Sequence, residues 1–341
     1  MSSLLSSSTG TWPAVEAAGF GEPFDAFPVE APFAVRPDLI KLAPPDDWLR
    51  IDRQWPEMLR AKLAALTGDL QNPPAENIML ASACDSTQEA ARLAAVRRCC
   101  AALASTAAGR TLGVECHRDG VSFGAAGYRA LPAGAGLRLL ADHPDAGPVV
   151  QALAGCSSGS SGLGLLGALA MSLQEDLVLM EQLPGGVARA AMFHVCFPSA
   201  WDPSTRVGQD MLALHAPVAD NSPLQAAAAR LGQALLAKGP FVRWVWTVTR
   251  DARWRAWPPP AGPTEPAGDE PLYFRLERQT TLPLGEGYGM FLIRVQVRQL
   301  EDALASPGRL ALLQASLRSM SGDMIRYKNL SAARARILNA G

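Results

Sequence analysis

The strongest constraint on the fold is a pair of alternating segments in the last quarter of the chain. Leu272–Thr280 sets Leu272, Phe274 and Leu276 against Tyr273, Arg275, Glu277 and Gln279, and Tyr288–Arg298 sets Phe291, Ile293, Val295 and Val297 against Leu292, Arg294, Gln296 and Arg298. A period of two sends alternate side chains to opposite faces of a strand. The connection between them, TLPLGEG, is short and contains glycine, so the pair predicts an antiparallel hairpin. Arg275, Glu277 and Gln279 then share one face with Tyr273, while Arg278 falls on the other beside Leu276. Such a row is either an exposed ion-pair row or the polar wall of a small-ligand cavity.

The neighbouring text supplies partners for this hairpin. Ala190–Phe197 reads as a short buried strand and Phe241–Thr249 as an alternating one. Between them Ser222 and Pro223 form a cap and first-turn pair, Leu224, Ala228, Leu231 and Leu235 mark a helical face, and Gly239 ends it. Residues 301–337 read as two helices split near Ser321 and Gly322. An antiparallel sheet packed by helices, an α+β fold, satisfies these elements. A doubly wound parallel sheet does not: no GxGxxG opens a helix after a strand, and no GxxxxGK[ST] loop occurs.

The first half is less regular. Residues 1–32, rich in Ser, Gly, Pro and Ala, read as an irregular arm. Asp46–Ala64 predicts two short helices or one broken helix, with Pro56 placed to start a turn. Residues 83–107 predict a long helix capped at Ser86 or Thr87, and 109–147 short strands and turns. CSSGSSG, 156–162, reads as a joint, followed by a helix from Leu163 to Gln182 in which Gln174, Glu175 and Asp176 interrupt an apolar run. Arg255–Glu270, with its prolines and glycines, reads as a loop.

Bulk properties remove several function classes. The 341 residues carry a net charge of −1, with a pI near 6.4 and no dense Lys/Arg stripe, so nucleic acid is not an expected partner. The N-terminus lacks the pattern of a secretory signal, and the longest apolar stretch, Gly162–Met171, falls short of the roughly 20 residues of a membrane span, which points to the cytoplasm. None of the six cysteines forms a CxxC pair, so thiolate metal sites are not expected.

Four histidines remain as chemistry-bearing candidates. His117 and His143 sit in the irregular middle and read as loop residues, and His194 sits inside an apolar strand beside Cys196. His215 follows Met211-Leu212-Ala213-Leu214 and precedes Ala216-Pro217-Val218. Pro217 pushes its predecessor toward an extended conformation, placing the imidazole at an element terminus among apolar neighbours. That setting suits a structural core histidine and an axial haem ligand alike. No GxSxG elbow is present.

Several segments together resemble the haem-binding α subunit of haem-dependent oxidative N-demethylases. They are AVRPDLIKLAPPDDWLRIDRQWPEMLRAK, SLQEDLVLM, VCFPSAWDPSTRVGQDMLALHAPV, FVRWVWTV, LYFRLERQTTLPLGEGYGMFLIRVQV and MIRYKNL. The resemblance covers roughly 33–62 and 163–330; 70–160 matches poorly and reads as a divergent, insert-like region within one domain spanning 33–338. It implies a PAS-like sheet surrounded by helices and holding a b-type haem. His215 becomes the expected iron ligand, with Phe197, Trp201, Arg278 and Gln279 as further cofactor-binding residues. Arg243, Arg275 and Glu277 become the catalytic candidates. The implied reaction is O2-dependent oxidation of a small methylated amine, with electrons from NADPH through a separate reductase subunit carrying FMN and a 2Fe-2S cluster. Where the family often has Arg-x-Asn-Trp, this chain reads Arg243-Trp244-Val245-Trp246, which points to a different substrate or to loss of the demethylase reaction. A haem-binding sensor or carrier, and a cofactor-free structural relative, are the alternatives.

Overall fold

The computed structural model describes residues 20–43, 48–67, 80–82, 86–131, 137–140, 147–156, 161–256 and 270–340. Most of the predicted N-terminal arm, Cys84, His143, the centre of the CSSGSSG joint and most of the Arg255–Glu270 loop lie outside the described residues. The chain divides into two compact units. One comprises Met1–Pro23, Leu49–Leu80 and Asp85–Gln174, the other Phe24–Trp48, Ala81–Cys84 and Glu175–Gly341. Two short strands come first in chain order, β1 (Ile40–Lys41) and β2 (Leu80–Ser82).

The first unit is built on helices and a small sheet. Helix α1 (Trp55–Thr67) starts where Pro56 predicts, since a first-turn N–H has no intrahelical acceptor and proline's missing donor costs nothing there. The predicted helix over 83–107 is shorter. A single 3-10 turn at Ser86–Gln88 leads into α2 (Glu89–Ala104), capped at Gln88 without a side-chain bond. Thr106 then accepts the Gly109 N–H at 2.9 Å and restarts the chain as α3 (Ala107–Thr111). The Gly-rich stretch forms β3 (Val114–His117), β4 (Gly120–Phe123), β5 (Tyr128–Ala130) and β6 (Leu137–Leu139), paired antiparallel in that order. His117 lies on β3, not in a loop, its Nε2 3.0 Å from Ser122 Oγ. Helices α4 (Gly147–Cys156) and α5 (Ser161–Ala170) complete the unit.

The chain leaves α5 through a turn whose carbonyls are claimed by buried side chains. Lys62, fully buried, donates to Ala170 O and Leu173 O at 2.9 and 3.0 Å. Trp55 Nε1 donates to Ser172 O at 2.9 Å, and Tyr128 Oη to Ala168 O at 2.7 Å. An ammonium on the last carbonyls of a helix satisfies orphan acceptors and opposes the helix dipole. The helix predicted to run to Gln182 therefore stops at Ala170. Asp176–Gln182 is instead a strand, β7. Both faces of β7 are covered, so its centre, Leu177–Met180, is a continuous apolar run in which the two periods cannot be told apart.

The second unit carries β7, β8 (Ala188–His194), β9 (Phe241–Thr249), β10 (Tyr273–Gly285) and β11 (Tyr288–Gln299). The sheet order is β1-β9-β10-β11-β7-β8-β2, and the pairs from β1 to β8 are antiparallel. The predicted hairpin forms with longer arms, because TLPLG continues β10 past a bulge at Pro283–Gly285. Glu286 and Gly287, with φ of 53° and 76°, make the tight turn whose hand matches the strand twist.

Two apolar layers cover the faces of this sheet. On one, Phe274, Leu276, Trp246 and Val248 pack with Leu313, Leu317, Met324 and Leu330. These come from α9 (Arg309–Ser319), α10 (Gly322–Tyr327) and the turn before α11 (Ser331–Asn339), and α8 (Leu300–Leu304) adds Leu300 and Ala303; four short helices stand where two are predicted, with the expected break at Ser321. On the other, Val178, Met180 and Phe193 pack with Leu224, Leu231 and Leu235 of α7 (Ser222–Ala237). A Cβ added to Gly289 would lie 2.7 Å from Leu235 O, so that glycine lets α7 rest directly on β11. Ahead of α7 stands the five-residue helix α6 (Met211–His215). Ala216, expected to be extended before Pro217, keeps helical angles of −54° and −37°. Asn221 Nδ2 donates to His215 O and Ala216 O, holding that extra turn closed.

Candidate functional site

The second unit encloses a cavity of about 1390 Å³, above the roughly 300–1,000 Å³ of ordinary small-molecule pockets. Val178, Met180, Phe193, Leu231, Leu235 and Phe291 give it apolar walls. His215 lines it from the end of α6. Asp210 starts that helix by accepting the Ala213 N–H at 2.8 Å. The imidazole Nδ1 is 2.7 Å from Met211 O, an atom that can only accept, so Nδ1 carries the proton and Nε2 keeps its lone pair. Burial pushes the His215 pKa down, with the Arg243 charge adding to it, while the bond to Met211 opposes the change. At neutral pH this is a neutral imidazole of fixed tautomer, the form a metal binds.

A polar wall comes from β9, β10 and the loop after β8. Arg275 donates Nε to Ser199 Oγ at 2.7 Å, Nη2 to Phe197 O at 2.9 Å and Nη1 to Arg253 O at 3.2 Å. Ser199 Oγ in turn donates to Glu277, whose other oxygen accepts from Gln279 Nε2 at 2.8 Å. Burial lowers the Arg275 pKa against the nearby Glu277, Asp251 and Asp176 charges, yet a guanidinium remains protonated. Asp176 holds the Phe197 loop by accepting the N–H groups of Cys196 and Phe197 at 2.9 and 2.8 Å. Trp201 lines the same cavity, its ring 6.5 Å from that of Phe193.

Arg243 occupies the same face on β9, where its partner across the ladder is Gln279. Its Nε is buried without a hydrogen-bond partner. Burial lowers its pKa, while Asp38 and Glu277 favour the charge without bonding to it. Lys328 closes the end of the wall. Its ammonium donates to Trp246 O at 2.6 Å and sits 5.6 and 5.4 Å from the Phe33 and Trp246 rings. Burial depresses its pKa to about 8, with Glu277 opposing and Arg243 reinforcing the drop.

Seven of the eight predicted site residues thus surround one cavity: His215, Arg243, Arg275, Glu277, Gln279, Phe197 and Trp201. Arg278 does not join them. Period two turns it to the opposite face, where Nη1 donates to Trp48 O at 3.1 Å and the guanidinium lies over the Phe24 ring at 5.1 Å. His194 is fully buried in β8, with Nδ1 3.8 Å from Cys196 Sγ. Asp38, Ser199 and Lys328 escaped the sequence reading as site residues. The one signal for Lys328 was its place in MIRYKNL.

Among the described residues no group of three or more His, Cys, Asp or Glu side chains is arranged to hold a metal ion, and no helix is long and apolar enough to cross a membrane. The fold and site define an α+β protein whose antiparallel sheet backs a deep cavity bearing one metal-competent imidazole. Residues 153–338 match the family described as haem-dependent oxidative N-demethylase, alpha subunit-like, and the chain belongs to that family. No curated protein matches it.

Proposed function

We propose that this chain is the haem-binding subunit of an oxidative demethylase acting on a small methylated amine, with His215 as the axial iron ligand. The observation that carries this reading is the Nδ1–Met211 bond, which leaves a neutral Nε2 at the wall of a large, mostly apolar cavity. The residues fit a b-type haem: apolar walls suit a flat macrocycle, and the neutral His215 imidazole suits its iron. The five long strands, counted from β7, lie in the order 2-1-5-4-3 with helices inserted between the second and third, which supports a PAS-type sheet.

Haem in this cavity would supply the one-electron and dioxygen chemistry that oxidation of an amine requires. The chain's own groups do the rest. Met211 O fixes the ligand tautomer. Arg275 and Asp176 hold the Phe197–Ser199 loop from two sides, through its carbonyl and its N–H groups. Ser199 and Gln279 orient the Glu277 carboxylate, which would accept the N–H of the bound amine. The apolar walls exclude water. Electrons would come from NADPH through a separate FMN and 2Fe-2S subunit in the cytoplasm. Neither cofactor has a motif in this chain.

The test is an absorption spectrum of protein expressed with a haem precursor. A strong Soret band that is lost or shifted in His215→Ala supports the reading, and a colourless wild-type protein that takes up no haemin sinks it. Turnover with a reductase distinguishes the demethylase from a haem-binding carrier.

A further inference from the structure

We propose that the substrate carries a carboxylate as well as its methylated amine, an N-methyl amino acid, with Arg243 as the carboxylate receptor and Glu277 as the amine receptor. This rests on the demethylase reading and deepens it. The register places Arg243 opposite Gln279 and Val245 opposite Glu277, so Arg243 and Glu277 are diagonal neighbours on one face of adjacent antiparallel strands. Diagonal side chains of this length reach into a shared space. They have not closed on each other: Glu277 is bonded to Ser199 and Gln279, while Arg243 Nε is buried and unbonded. An opposite-charge pair left open over a cavity matches a zwitterion whose two ends are a few atoms apart.

The bonding of the wall's cations points the same way. Arg243, Arg275 and Lys328 all lie near Glu277, and Asp176 and Asp251 offset the charge of Arg275. Asp38 adds a negative charge near Arg243 but makes no hydrogen bond with it. Of the three cations, Arg275 is engaged by Ser199, Phe197 and Arg253, and Lys328 by Trp246. Arg243 is the one with a buried N–H to spare, and a guanidinium fork binds carboxylate in a two-bond geometry. Val245, two residues from Arg243 on β9 and opposite Glu277, keeps the wall small and apolar where an N-methyl group would lie.

Isothermal titration calorimetry on the purified full chain, with and without haem, tests this using N-methylglycine, N-methylglycine methyl ester and dimethylammonium. The expected result is that N-methylglycine binds roughly tenfold or more tighter than the other two. That preference should fall below about twofold in Arg243→Gln and be partly restored in Arg243→Lys. Wild-type protein that binds the ester or dimethylammonium as tightly as N-methylglycine, or binds none of them, overturns the proposal without any variant. So does Arg243→Gln that keeps the preference. A variant that loses haemin uptake, but not uptake of haemin dimethyl ester, with N-methylglycine binding unchanged, assigns Arg243 to a haem propionate and also overturns it. Failure of the haem reading shows separately, as a missing Soret band in the wild type.

Discussion

Replacing Lys328 by methionine should make the protein more stable at neutral pH. The ammonium lies on the Phe33 and Trp246 rings and has one carbonyl partner, Trp246 O. Its pKa falls from 10.5 to about 8 because burial disfavours the charged form. That fall corresponds to about 3 kcal/mol held against folding wherever both states are protonated. Methionine keeps the hydrocarbon packing and removes the charge, at the loss of one hydrogen bond worth about 1–2 kcal/mol. The net gain expected at pH 7 is about 1–2 kcal/mol. Between pH 8 and 10.5 the folded lysine is neutral while the unfolded one is still charged, so folding releases a proton and wild-type stability rises relative to the variant. Above pH 10.5 the wild type should be the more stable by about 1–2 kcal/mol, since only the hydrogen bond then distinguishes them. Denaturant titrations followed by tryptophan fluorescence at a series of pH values measure the difference, and taking wild type minus variant cancels the other titrating groups. A variant less stable at pH 7, or a difference that stays flat from pH 7 to 11, would refute the reasoning.

Other perturbations probe the remaining parts of the site. His215→Ala should abolish the Soret band while lowering stability by only about 1 kcal/mol, since it removes a single hydrogen bond; circular dichroism melts check the second half. Because the His215 pKa lies below 6.5, haem retention should persist to lower pH than an ordinary histidine allows, and release tracked by absorbance midway at pH 6.5 or above would contradict this. Asp176→Asn weakens acceptance of the Cys196 and Phe197 N–H groups, and urea unfolding should show a loss of about 2–3 kcal/mol. Gly289→Ala drives a Cβ to 2.7 Å from Leu235 O and should cost about 1–3 kcal/mol, read by thermal melting; a neutral variant would mean that α7 does not rest on β11 as described.

The parts of the fold legible in the sequence were those whose signal is local. The period of two in β10 separated Arg275, Glu277 and Gln279 from Phe274 and Leu276, and Ser222-Pro223 marked the start of α7. Local signals failed where burial erased the period, as in Asp176–Gln182, which reads equally well as helix or strand. They failed again at Ala216, where Asn221, five residues on, overrides the preference that Pro217 imposes. The site itself was half legible. One strand face can be read from one segment. Ser199, Asp38 and Lys328 reach the cavity only through the sheet order, which no spacing in the sequence encodes. Arg278 shows the limit of motif resemblance: it sits in the right block of sequence and on the wrong side of the strand.

Three bonds that orient His215 run between residues 210 and 221, from the Asp210 cap through the Met211 carbonyl to the Asn221 amide. The residue proposed as the iron ligand is therefore positioned largely by its own stretch of about a dozen residues. The wall that would choose the substrate belongs to other segments, chiefly β9 and β10. A substitution on β9, at Val245 for example, can alter that wall and leave the bonds around the imidazole untouched. On the proposed haem reading, the substrate wall and the iron ligand therefore lie in separate stretches of sequence.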